Sequence, residues 1–174
     1  EKIDRAQENE TIFIKPGIYY ENIRYPSGKN ISLICKNKRN TCLTVEGDHY
    51  VYDDFNSFEF CETNWGEEKI TNRYCILDGT YNTDTYTSSL TKEYALTSKT
   101  ILDPIVKFVG GGDKAGILDG FTIRNGVARK GGGVSIINNS NPQLTNLIII
   151  NNNAYSGGGI HIENSNPVLT DIII

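Results

Sequence analysis

The last third of the chain repeats itself. Residues 116–136, GILDGFTIRNGVARKGGGVSI, lie over residues 142–162, PQLTNLIIINNNAYSGGGIHI, without a gap. At this offset of 26, Leu118 falls on Leu144, Phe121 on Leu147, Ile123 on Ile149, Asn125 on Asn151 and Ala128 on Ala154. A third copy, PVLTDIII, starts at residue 167 with an offset of 25, and NSNP occurs at 139–142 and again at 164–167. Self-similarity with a period of about 20 to 50 residues is the sequence form of a solenoid.

The content of one period decides which solenoid. A helical repeat needs an apolar face recurring every three to four residues over ten or more residues. Here short apolar runs, VSI or IHI and then LIIIN, are parted by glycine triplets, NSNP and asparagine runs. Those are strands separated by turn formers. Parallel strands stack at about 4.8 Å, so each period is expected to form one coil of a parallel β-helix, right-handed by the crossover rule.

Strand alternation then assigns directions. Leu147 and Ile149 are expected to face inward, with Phe121 and Ile123 below and Ile172 and Ile174 above. Ile148, Ile150 and Ile173 are left on the outer face, where an apolar stripe suggests self-association. Asn125 and Asn151 fall where the chain turns and are expected to bond the neighbouring coil as an asparagine ladder. Asp171 aligns with Asn146 and Gly120 in a second turn slot. The LDG of residues 77–79 matches that of 118–120, which pairs Leu77 with Leu118 and leaves a surplus of 15 residues within 80–100.

The string GGGVSI…NSNPQLTNLIII…GGGIHI…NSNP resembles the repeat of secreted right-handed β-helix proteins of the pectin-lyase-like superfamily. TIFIKPGIYYENI from residue 11, ISLIC from 31 and ILDGFTIRNG from 117 resemble that group's first coils. The resemblance implies an all-β, single-stranded parallel β-helix, with residues 1–10 as the remnant of a helical N-terminal cap. It implies one domain over 1–174, departing from the regular coils at about 46–74 and 80–100. It also leads us to expect a chain cut from a longer one, with C-terminal coils truncated: methionine is absent and Ile174 falls inside a strand. The scaffold carries lyases, hydrolases, esterases and adhesins, so it leaves activity open.

A net charge of −4 argues against a nucleic-acid partner, and no run approaches a membrane span. Cys35, Cys42, Cys61 and Cys75 lack the CxxC spacing of zinc sites and read as disulfide candidates, which suits an extracellular or cell-surface protein; the alternative makes Cys35 and Cys75 buried thiols. Asn9, Asn30 and Asn138 begin N-x-S/T sequons. Tyr19, Tyr20 and Tyr25 have either a sugar-stacking or a strand-packing reading.

The strongest compositional departure is EGDHYVYDDFNSFEFCETNWGEE, residues 46–68, with eight carboxylates, six aromatics and no lysine or arginine. Rings stack on sugar C–H faces and carboxylates accept hydroxyl hydrogen bonds, so Tyr50, Tyr52, Asp53, Asp54, Phe55 and Trp65 form a candidate ligand-binding set. The opposing reading is aromatics gluing the segment to the coils while the acids face water. Clustered carboxylates suit Ca²⁺ as well, but no EF-hand spacing is present, and no cofactor is expected. Asp53, Asp54 and Glu59 are the dense carboxylate group capable of acid–base work. His49 and His161 read as isolated surface histidines, and Arg124 as an outward cation beside Ile150. The expectation is a non-catalytic extracellular or cell-surface module, structural or adhesive, binding carbohydrate or protein or self-assembling. The alternative is a polysaccharide lyase or glycoside hydrolase.

Overall fold

In the computed structural model the described residues are 3, 5–36, 75–81, 103–113 and 115–174. They form fourteen strands, and every strand pairing is parallel. Successive passes of the chain lay one strand on each of a few stacks, giving a solenoid-like arrangement. The first stack runs β1 (Thr11–Ile14), β4 (Ser32–Cys35), β7 (Ile117–Asp119), then the start of β11 (Gln143–Ile150) and of β14 (Val168–Ile173). The second runs β2 (Gly17–Tyr19), β5 (Cys75–Asp78), β8 (Phe121–Arg124) and the later halves of β11 and β14. The third is β3 (Ile23–Arg24), β6 (Val106–Val109), β10 (Val134–Ile137) and β13 (Ile160–Glu163). A shorter fourth pairs β9 (Val127–Lys130) with β12 (Asn153–Ser156).

The register is the one the repeat dictates. Leu118 sits on Leu144, Ile123 on Ile149 and Val134 on Ile160, each 26 positions apart, and Leu144 sits on Leu169 with the step of 25. Like residues therefore stack on like, and the core is a set of apolar columns. Leu33, Leu118 and Leu144 form one; Leu77, Ile123 and Ile149 another; Val106 and Val134 a third. Leu147 and Ile149 are buried as expected, with Phe121 and Ile123 beneath them. In the last described layer Ile172 packs against the core, whereas Leu169, Ile162 and Ile174 are exposed.

The columns turn at corners that need left-handed backbone. Gly120, Asn146 and Asp171 lie above one another with φ of 86°, 52° and 54°. Asn125 and Asn151 share a second corner, and Gly131 and Gly157 a third. Only glycine, asparagine and aspartate adopt this region readily, which is why those residues punctuate the sequence at repeat spacing.

Three expectations are corrected, and one open choice is decided. Among the described residues of the N-terminal segment there is no helix: Ala6 and Glu10 donate backbone hydrogen bonds to Ile3 and Gln7 in turns, and Asn9 is left-handed. Ile3 and Ala6 are nevertheless buried, so this segment covers the first layer without helical geometry. Asn125 does bond the neighbouring layer, donating from Nδ2 to Asp78 Oδ1 at 3.1 Å, but one layer on the inter-coil asparagine is Asn152, and not Asn151: its Nδ2 donates to Ile123 O at 2.9 Å and its Oδ1 accepts from Gly126 N at 2.8 Å. Asn151 points to solvent. Of the two readings of Tyr25, strand packing is the one found: it is buried, stacks on Phe108 at 4.1 Å and donates its hydroxyl to Ile117 O. Finally, Leu77 sits on Ile123, and Leu118 sits on Leu33. The shared LDG reflects similar strand-to-turn chemistry in two different stacks.

Candidate functional site

The corrected register puts both long departures from the repeat in a single layer, the second. β4, β5 and β6 belong to it, and residues 37–74 and 82–102 lie between them. Ile34 sits on Asp119 and Cys75 on Phe121, so Cys35 and Cys75 occupy the places that Gly120 and Phe121 hold in the next layer. There the two are consecutive in sequence. In the second layer they are 40 apart, and a disulfide joins them, with Cα atoms at 5.8 Å. The buried-thiol alternative is thereby overturned for this pair. The disulfide makes covalently, across the base of the first excursion, the connection that the one-residue corner at Gly120 makes in the next layer. Both cysteines are fully buried in the core. Cys42 and Cys61 lie outside the described residues.

The base of the second excursion is fastened by a buried carboxylate. Asp78 ends β5 and is 3% exposed. Its Oδ2 accepts from Arg124 Nε at 2.8 Å, and its Oδ1 accepts from Thr80 N at 2.9 Å, Asn125 Nδ2 at 3.1 Å and the Thr80 hydroxyl. Arg124 is outward beside Ile150, as the alternation requires, but its other neighbour is this carboxylate. The LDG likeness of residues 77–79 to 118–120 does not reveal this pair, because Asp78 sits on Arg124. Where the chain re-enters, Asp103 bridges Arg24 at 3.1 Å and Lys107 at 3.0 Å, tying the third stack's first two layers.

Burial alone would raise the Asp78 pKa, but hydrogen bonds from Thr80, Asn125 and Arg124 outweigh it and hold the carboxyl below its ordinary value. A carboxyl with a depressed folded-state pKa contributes stability above its unfolded pKa and loses it as pH falls through the folded one. We therefore expect part of the acid destabilisation, below about pH 4, to come from Asp78. Asp78→Asn should flatten that limb of the stability–pH curve, followed by urea unfolding between pH 2 and 7; an unchanged limb would refute the assignment.

The third and fourth stacks together carry a second polar group. The Lys130 Nζ lies 2.6 Å from Glu163 Oε2, the His161 Nε2 lies 3.3 Å from the same oxygen, and the Ser156 hydroxyl lies 3.4 Å from His161 Nδ1. The His161 side chain is only 15% exposed. It is thus not the isolated surface histidine read from sequence. Strand β13 places His161 and Glu163 two residues apart on one face, and the glycine corner at Gly157 turns Ser156 back toward them. One signal pointed here: Lys130, Ser135 and Ile137 of the preceding layer give way to Ser156, His161 and Glu163.

Ile148, Ile150 and Ile173 are half-buried and alternate with inward neighbours. Ile148 and Ile173 belong to a column that continues through Thr122 to Ile76 and Ile18. Tyr50, Tyr52, Asp53, Asp54, Phe55, Glu59 and Trp65 lie outside the described residues, as does His49. Among the described residues no group of three or more His, Cys, Asp or Glu side chains could hold a metal ion. Comparison with protein-family models, curated proteins and solved structures finds no match to this chain.

Proposed function

We propose that this chain is a rigid extracellular scaffold that presents two loop segments to a ligand. It is a right-handed β-helix of pectin-lyase-like type, and its work is recognition or assembly. The observation that carries the proposal is the anchoring of both excursions in one layer, the first by the Cys35–Cys75 disulfide and the second by the Asp78–Arg124–Asn125–Thr80 network. A stack with a continuous apolar core holds such bases still, and loops on rigid supports are where binding residues concentrate. A disulfide points to an oxidising compartment, in line with an extracellular or surface location. The aromatic and acidic content of residues 46–68 suits a carbohydrate. The outer residues Ile148 and Ile173, stacked in one column, and Ile150 in the next suit lateral contact with a second molecule.

The chain has a single tryptophan, Trp65, within the first segment. Titration with a panel of acidic and neutral oligosaccharides should therefore give a saturable change in its fluorescence with at least one of them. Tyr52→Ala should weaken that affinity about tenfold, a cost of about 1.4 kcal/mol, within the range for losing an aromatic contact. No fluorescence change with any glycan, together with no retention on immobilised polysaccharides, would remove the carbohydrate reading. New reducing ends or unsaturated uronates in the mixtures would favour the lyase or hydrolase alternative.

A further inference from the structure

We propose that Ser156, His161 and Glu163 form a hydrolytic group that cleaves small acyl esters, with Ser156 as nucleophile, His161 as base and Glu163 as the carboxylate orienting the imidazole. The inference goes beyond the scaffold reading and shares no residue with it.

The geometry supplies a continuous chain of contacts: hydroxyl to Nδ1 at 3.4 Å and Nε2 to carboxylate at 3.3 Å. Contacts of this kind are commonly long without substrate and tighten when it binds. Hydrogen bonds from Lys130 and then His161 hold the Glu163 carboxyl below its ordinary value, so it remains an acceptor. An acceptor at Nε2 places the ring proton there and leaves the Nδ1 lone pair facing the serine. That is the triad arrangement with the two ring nitrogens exchanged, and triads are recognised by geometry and roles, whatever the fold. Ser156 is exposed, while its base is mostly covered. The preceding layer holds Lys130, Ser135 and Ile137 at the same places, so the repeat does not require the group.

In the reaction the Ser156 Oγ attacks the ester carbonyl carbon and its proton passes to His161 Nδ1. The tetrahedral adduct collapses, the carbon–oxygen bond to the alcohol breaks, and the alcohol leaves with that proton. Water then attacks the acyl-serine, giving its proton to His161. The carboxylic acid departs, and the serine oxygen recovers its proton from the imidazole.

The test uses p-nitrophenyl acetate for turnover and a fluorophosphonate probe for the nucleophile, with the labelled site mapped by mass spectrometry. We expect p-nitrophenol release above buffer and a phosphonyl adduct on Ser156. Ser156→Ala and His161→Gln should each lower turnover by about a hundredfold or more and abolish the adduct, with unchanged circular dichroism. Glu163→Gln should give an intermediate loss. Absence of both turnover and label, label at another residue, or full turnover in Ser156→Ala would overturn the proposal. Any of those results leaves the glycan titration through Trp65 unaffected, so the two readings fail separately.

Discussion

Replacing Cys35 and Cys75 together by alanine is expected to lower the unfolding free energy by about 4 kcal/mol. The magnitude follows from the closed loop of 40 residues that the bond removes from the unfolded ensemble. With a urea slope of about 2 kcal/mol per molar, the midpoint should fall by about 2 M. The effect should be this large because the bond stands where the next layer has two consecutive residues, Gly120 and Phe121. Without it, among the described residues β4 and β5 are tied through their neighbours above and below, with 39 residues of chain between them in sequence. A midpoint shift under about 0.5 M, corresponding to about 1 kcal/mol, would show that the layers align without the bond.

Phe121→Ala should cost about 3–5 kcal/mol, against about 0.5 kcal/mol or less for Thr122→Ala next to it. Phe121 is fully buried on Cys75, in the place that Leu147 takes one layer on, and truncation leaves a void in the axis of the stack. Thr122 points the other way, between Ile76 and Ile148. Two adjacent residues with such unequal costs are the energetic signature of strand alternation. Equal losses, measured by urea or thermal unfolding, would mean that β8 does not present one face to a common core.

The repeat made this core readable because it names partners directly: residue n touches residue n + 26, and the alternation of LIII says which side each faces. The corners were readable for a similar reason, since asparagine, aspartate and glycine in Gly120, Asn146 and Asp171 share a backbone requirement more than a chemistry. What sequence did not yield are contacts that cross layers at irregular places. The second layer carries two long excursions, so no constant offset links Asp78 to Arg124, 46 positions away. Local likeness between two LDG strings then pointed to the wrong stack. Ser156 and His161 meet only because a left-handed glycine reverses the chain between them, and Lys130 reaches Glu163 over 33 positions. Strand periodicity carries no information on either contact. The aromatic and acidic segment at 46–68 was conspicuous in composition alone, and composition fixes no arrangement.

The corner joining the third stack to the first changes length as the layers progress. Seven residues, 110–116, span it after β6; five, 138–142, after β10; four, 164–167, after β13. Its left-handed residues fall in step, from Gly110, Gly111, Gly112 and Gly116 to Asn138 and Asn139 and then to Asn164 alone. Yet the strands on either side keep their partners throughout. Within a strand, a single inserted residue would flip every following side chain to the opposite face. Along this edge, extra residues are absorbed as additional backbone reversal, so the fold has a seam that can be let out or taken in. Foreign peptides spliced there would be displayed in rows at the layer spacing, with the oily interior left untouched.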